Sequence, residues 1–281
     1  MSGISTLQTK CGPYTLDYQK KTYIMGILNV TPDSFSDGGR YHHIDAALRH
    51  AEQMVEDGAD LIDIGGESTR PNYERISDEE EIERVAPVIE AISKRIDVPL
   101  SIDTYKSKVA KAAIEAGAHI INDIWGAKAD PEMAKVASQY QVPIILMHNR
   151  EGQTYQHFMR DALQDLYESI ALVKAAGVRE EQIILDPGIG FAKDVTLNLE
   201  MMRNLDTLVA LGYPVLLATS RKSMIGHVLD LPPAERVEGT AATICFGIGQ
   251  GCQLVRVHDV KEMARTAKMM DALVRKGEYS G

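Results

Sequence analysis

Short apolar runs recur along the chain at 24–28, 61–64, 100–102, 120–121, 144–147, 183–185, 215–218 and 254–257, eight in all. Most of them show no alternation of apolar with polar residues. Runs of that kind suit strands buried on both faces, as in a parallel sheet. Between them lie segments with helical spacing at 46–57, 80–94, 106–116, 131–140, 159–176, 197–211, 237–248 and 261–275. A strand followed by a helix, eight times over, predicts an α/β fold of the (βα)8 TIM-barrel type rather than an open doubly wound sheet. Residues 1–22 read as a short N-terminal β-hairpin covering the barrel floor. No linker or repeat divides the chain, so 1–281 is read as a single β/α-barrel domain. The acidic run at 78–83 reads as a helix start, where Ser77 and Glu80 form an S-x-x-E capping box and negative charge suits the helix N-terminus.

In a barrel of this class the chemistry sits where strands end and βα loops begin. Those positions hold Asn29, Asp63 with Glu67, Asp103, Asn122 with Asp123, His148, Asp186, Lys222 after Ser220 and Arg221, and Arg256 with His258. Asp63 precedes two glycines and is read as structural, fixing that loop. Asp103, Asn122 and Asp186 suit a flat heterocycle presenting N–H donors, because an ionised carboxylate accepts parallel hydrogen bonds. Lys222 adds a donor for a ring carbonyl. Arg256 offers a planar cation able to stack on a ring and reach an anion. Asn29, Arg256 and His258 together suit a phosphate group.

Two loops are long for connectors. The stretch 29–39 carries Pro32, Gly38, Gly39 and one aromatic, Phe35, and reads as a lid; the stretch 65–71 carries a cation, Arg70. Water-excluding loops are what a reactive cationic intermediate requires. Gly188-Ile-Gly190 and Gly247-Ile-Gly249 do not complete a dinucleotide-binding fingerprint. The first is read as letting backbone approach a flat ligand flanked by Phe191, the second as a helix end.

Composition narrows the partners. A net charge of −10 argues against a nucleic-acid or anionic-membrane surface, so an anionic ligand needs a local basic site. Cys11, Cys245 and Cys252 are odd in number and lack C-x-x-C spacing, which fits a reduced, cytoplasmic setting. No run approaches the roughly 18 apolar residues of a membrane span. The segment 237–249 is small and apolar nearly all round, whereas an outer-ring helix normally keeps one wet face. A homodimer burying it is expected, the alternative cover being the chain's own N-terminal hairpin.

The run N-V-T-P-D-S-F-S-D-G-G from Asn29, G-E-S-T-R-P from Gly66 and S-R-K-S from Ser220, with weaker matches at 101–104, 121–126, 186–193 and 256–260, resemble the dihydropteroate synthase family over nearly the whole chain. The resemblance implies transfer of 4-aminobenzoate onto 6-hydroxymethyl-7,8-dihydropterin diphosphate, with Mg²⁺ assisting and Asn29 near the metal. It implies a pterin pocket of Asp103, Asn122, Ile124, Met147, Asp186, Phe191, Lys222 and Arg256. Asn29, Thr69, Arg256 and His258 would take the diphosphate; Phe35, Arg70, Pro71, Phe191, Lys222 and Ser223 would border the aminobenzoate, whose carboxylate would use the helix start after Ser220. An aryl amine is a poor nucleophile, so diphosphate is expected to leave first, with Asp37 facing the developing cation and Lys222, Arg256 and His258 serving the chemistry. Sulfonamides would compete with the aminobenzoate. Asn72 departs from the family's usual Gly after S-T-R-P. Two other readings share the heterocycle pocket, a methyltetrahydrofolate methyltransferase of a corrinoid system and a non-catalytic pterin-binding homologue.

Overall fold

Most of the apolar runs fail to alternate because their two faces are buried in two different places. In the computed structural model, which describes residues 8–31, 40–67 and 75–275, eight parallel strands stand in a ring: β3 (Tyr23–Asn29), β4 (Leu61–Gly65), β5 (Leu100–Asp103), β6 (Ile120–Asp123), β7 (Ile144–Met147), β8 (Ile183–Asp186), β9 (Leu216–Leu217) and β10 (Leu254–Val257). Pairing runs in chain order from β3 to β8, and β10 joins β9 to β3. A bridge from Leu185 to Val215 closes the remaining gap between β8 and β9.

Alternate residues then separate into two clusters. Ile24, Leu28, Ile62, Ile64, Leu100 and Ile102 belong to the large core between strands and helices. Tyr23, Met25, Leu61, Ile120, Ile145, Ile184, Leu216 and Leu254 fill the barrel interior instead. Period-two geometry is intact; only its polarity signal is missing. The interior cluster also takes in Cys11, Leu16 and Tyr18. These come from the antiparallel hairpin of β1 (Gln8–Cys11) and β2 (Tyr14–Asp17) and its exit, so the hairpin plugs the floor as expected.

Helices follow each strand: α1 (Arg40–Glu56), α2 (Asp78–Ser93), α3 (Ser107–Ala116), α4 (Met133–Tyr140), α5 (Phe158–Ala175), α6 (Val195–Arg203) with α7 (Leu205–Val209), α8 (Ser223–Leu229) with α9 (Val237–Gln250), and α10 (Val260–Val274). The helix expected over 197–211 is two helices. They part at Asn204, whose φ of −116° and ψ of 25° are not helical and whose side-chain amide donates back to the Glu200 carbonyl at 2.8 Å, the competition with the ladder that Asn offers. Ser77 does cap α2, accepting from the Glu80 N–H at 3.1 Å. The box is only half made, because the Glu80 carboxylate pairs with Arg84 one turn on. Gly251, at φ 102°, ends α9, in keeping with the helix end read at that glycine-rich stretch.

Candidate functional site

The same inward phase that fills the floor with hydrocarbon carries polar residues at the top. From Leu61 it runs to Asp63, from Ser101 to Asp103, from Ile120 to Asn122, from Ile145 to Met147, from Ile184 to Asp186 and from Leu254 to Arg256. Asp63, Asp103, Asn122, Met147 and Asp186 are all buried, and Ile124 is buried just past β6. Residues far apart in sequence thus meet at the C-terminal end of the barrel because each stands two positions above a floor residue.

Arg256 organises the cup. Its Nε donates to Asp63 Oδ2 at 2.6 Å and its Nη2 to Asp103 Oδ2 at 2.7 Å. Asn122 donates to the same Asp63 oxygen at 3.0 Å. Asp63 is therefore not a loop anchor, as its place before two glycines suggested; it faces inward and fixes the guanidinium and the amide. Asp103 keeps its Oδ1 buried and without a partner. A buried carboxylate oxygen without a partner calls for one. Burial, with the Asp63 carboxylate on the other side of the shared guanidinium, pushes Asp103 up to about 7 against the pull of Arg256.

Across the cup Asp186 accepts from the Gly188 N–H at 2.7 Å, and burial raises it against the pull of Lys222. Burial also pushes the Lys222 ammonium down to about 8, with Asp186 opposing. That ammonium donates to the Ile189 carbonyl and lies 4.8 Å from the centre of the Phe191 ring. The expected donor is in place, with its remaining hydrogens to offer. An acidic and amide wall of Asp103, Asn122 and Asp186 thus faces a cationic side of Lys222, in surroundings that disfavour an unpaired charge and strengthen each hydrogen bond it makes.

The rim is less tightly gathered. Asn29 ends β3 and is exposed, and its Oδ1 stands near the Gly65 and Asp103 side of the cup. His258 is exposed, its Nδ1 2.9 Å from Ser220 Oγ, while its own N–H donates to that oxygen at 3.0 Å. Ser223 is exposed at the first residue of α8, whose seven residues make it one short turn pair. Arg221, at φ 56°, is held through the Nε and Nη2 edge of its guanidinium on both oxygens of Asp259, and Arg236 bonds its carbonyl at 2.9 Å. This bracing presents Lys222 inward.

Of the other strand-end residues, three prove structural. Asp123 points outward and accepts from the N–H groups of Trp125 and Ala127, both at 2.8 Å, shaping a turn. Glu67 binds Lys106 at 2.6 Å and Tyr105 at 2.8 Å. His148 is buried behind the cup between Lys193 and Asp165. Lys193 was not singled out in the sequence at all, since one lysine in a polar loop carries no pattern. Phe35, Asp37, Thr69, Arg70, Pro71 and Asn72 lie outside the described residues.

A family model described as pterin binding enzyme matches residues 25–258. The dihydropteroate synthase of Bacillus subtilis (strain 168) is 62% identical over 94% of this chain and 93% of its own length. That of Clostridium beijerinckii is 59% identical over 95% of this chain and 100% of its own. Among solved structures, the dihydropteroate synthase of Clostridium difficile in the presence of pteroic acid superposes with a TM-score of 0.91 at 50% identity, covering 93% of this chain and 100% of that one. The Xanthomonas albilineans enzyme with 4-aminobenzoic acid gives 0.92 at 37% identity, covering 97% and 100%. The match spans all eight of the strands that carry the cup, and the chain belongs to the pterin-binding enzyme family, in its dihydropteroate synthase branch.

Proposed function

We propose that this chain condenses 4-aminobenzoate with 6-hydroxymethyl-7,8-dihydropterin diphosphate to give 7,8-dihydropteroate and diphosphate, in the cytoplasm and as a homodimer. The observation that carries the reading is the cup itself, where the unpartnered Asp103 oxygen, Asn122 and Asp186 oppose Lys222. A pterin presents N–H donors along one edge and a carbonyl nearby, which is the complement of that arrangement. Relatives solved with pteroic acid and with 4-aminobenzoic acid support both halves of the substrate pair.

The residues act as follows. Asp103 and Asp186 accept ring N–H groups, and Lys222 donates to the ring carbonyl. Met147 and Ile124 give the ring a dry seat, and Phe191, stacked under Lys222, borders the aminobenzoate. Diphosphate leaves first, breaking the C–O bond; the electron-rich pterin delocalises the methylene cation, and the amine attacks it and gives up one proton to the released diphosphate or to water. Arg256 and His258 stabilise charge on the departing oxygens, where donors matter most. Arg256 has its Nε and one Nη2 donor committed to Asp63 and Asp103, so it serves with the donors left over.

Among the described residues no three His, Cys, Asp or Glu side chains converge as a metal cage. That donor set fits a Mg²⁺ carried by the diphosphate, since this ion keeps waters and phosphate oxygens and asks the protein for little more than one oxygen such as that of Asn29. When bound, it neutralises charge on the leaving group.

Incubation of purified protein with the pterin diphosphate, 4-aminobenzoate and Mg²⁺ tests the reading, with dihydropteroate expected by mass spectrometry. A folded sample that gives none, yet transfers the methyl group of methyltetrahydrofolate to a reduced corrinoid or merely binds pterin, is one of the two rival proteins.

A further inference from the structure

Behind the cup lies a charged cluster that the proposed reaction does not use. Lys193 is buried, and its Nζ sits 2.9 Å from the Gly188 carbonyl, 2.9 Å from the Phe191 carbonyl and 2.7 Å from His148 Nδ1. Three acceptors are the full complement of an ammonium group. His148 Nδ1 faces a group with only hydrogens to offer, so it presents its lone pair. The ring proton is therefore on Nε2, which stands 3.1 Å from Asp165 Oδ2. Burial pushes His148 down to about 4, with the Asp165 bond opposing and Lys193 adding to it, so the ring is neutral. Arg150 Nε donates to the same Asp165 oxygen at 2.8 Å.

The two carbonyls that Lys193 holds belong to one tight turn. The Phe191 N–H closes it on the Gly188 carbonyl at 3.1 Å, and Gly188 and Gly190 take φ values of 65° and 88°. On the site side of that turn, the Ile189 carbonyl accepts from Lys222 and the Phe191 ring lies under the same ammonium. One lysine thus fastens the turn from behind while the other uses it from the front. Charge links them too: burial pushes Lys193 down to about 7, and the strongest influence keeping it charged is Asp186.

We infer that Lys193 is a positioning residue whose buried ammonium, seated on the bare Nδ1 of a neutral His148, holds the 188–191 turn in the shape that sets Lys222 and Phe191 against the substrates. This rests on the function proposed above. Lys193→Met keeps the stem and removes the three bonds. It is expected to raise KM for both the pterin diphosphate and 4-aminobenzoate about tenfold while kcat stays within about threefold, because the turn grips ground state and transition state alike. Lys193→Arg, which keeps a cation, is expected to recover part of that loss. A folded Lys193→Met protein with wild-type KM values overturns the inference, whereas a wild type that makes no dihydropteroate overturns the function and leaves the cluster standing. If the Met variant does not fold, the wild-type protein decides through nitrogen NMR of His148. A neutral ring protonated at Nε2 at pH 7 is expected, and a cationic ring or one protonated at Nδ1 overturns the inference.

Discussion

Asp63 and Asp103 share one guanidinium, and all three groups are buried or nearly so. Burial is the main reason Asp103 stands at about 7 rather than in the usual carboxylate range, and the second carboxylate set against the one cation adds to it. To accept ring N–H groups Asp103 must be ionised, so pterin binding weakens as pH falls through about 7. Lys222 must be protonated to donate, and burial pushes it down to about 8 and the Lys193 ammonium behind it down to about 7, so binding also weakens as pH rises through about 7 to 8. The expected kcat/KM for the pterin is a narrow bell, read over about pH 6 to about pH 9 as the free enzyme's own pKa values. A flat profile across that span contradicts the charge assignment. Asp186→Asn keeps the shape and removes a charged acceptor, and it is expected to cost about 2–3 kcal/mol of pterin affinity by calorimetry. Most of these side chains were legible as polar residues at the ends of apolar runs. Asp63 was seen and misread, because Ile62 and Ile64 on either side are apolar and nothing in the run shows which phase points inward. Lys193 and its three acceptors were not legible, since they involve backbone carbonyls that only a folded turn brings together.

The strands and the outer helices were readable because each is a long periodic signal; the turns between them depend on single positions. Gly188 is the sharpest case. Its φ of 65° suits glycine, and a Cβ built there would stand 2.0 Å from the His148 carbonyl oxygen, which is backbone and cannot swing aside. Gly188→Ala should therefore displace the turn rather than be absorbed. The expected result is a loss of about 1–3 kcal/mol in urea unfolding, accompanied by weaker pterin binding, since the Gly188 N–H also serves Asp186. Gly249 is the control for binding: a Cβ there meets nothing within 4 Å, and Gly249→Ala, inside α9 and away from the cup, should leave pterin affinity unchanged. The break at Asn204 shows the opposite limit of pattern reading. Apolar spacing continues through it, so only the side-chain bond to Glu200 reveals that the helix stops and restarts.

At the scale of the whole molecule the question left by the sequence is what covers α9. The described part of the hairpin, residues 8–22, does not, because Cys11, Leu16 and Tyr18 are packed into the barrel floor. In α9 the outward stripe is Glu238, Ala242, Phe246 and Gly249, with Phe246 45% exposed. The adjoining helix, α10, exposes Met269 at 58% and Leu273 at 67%. Scattered exposed apolar side chains need no explanation, but a helix whose wet face holds one charge in four positions is poorly matched to water. A second copy laid on this face would bury the small residues closely and give Phe246 a pocket, as aromatic anchors at symmetric interfaces require. The cup opens at the strand ends, while the stripe lies on the outer ring, so pairing would leave the substrates' entrance clear. Sedimentation at micromolar concentration is expected to give a dimer of the 31.0 kDa chain. Phe246→Glu places a carboxylate where the partner's hydrocarbon would lie, and it is expected to give a folded monomer whose pterin affinity is unchanged. A wild-type monomer, or a Phe246→Glu protein that still sediments as a dimer, removes α9 from the interface.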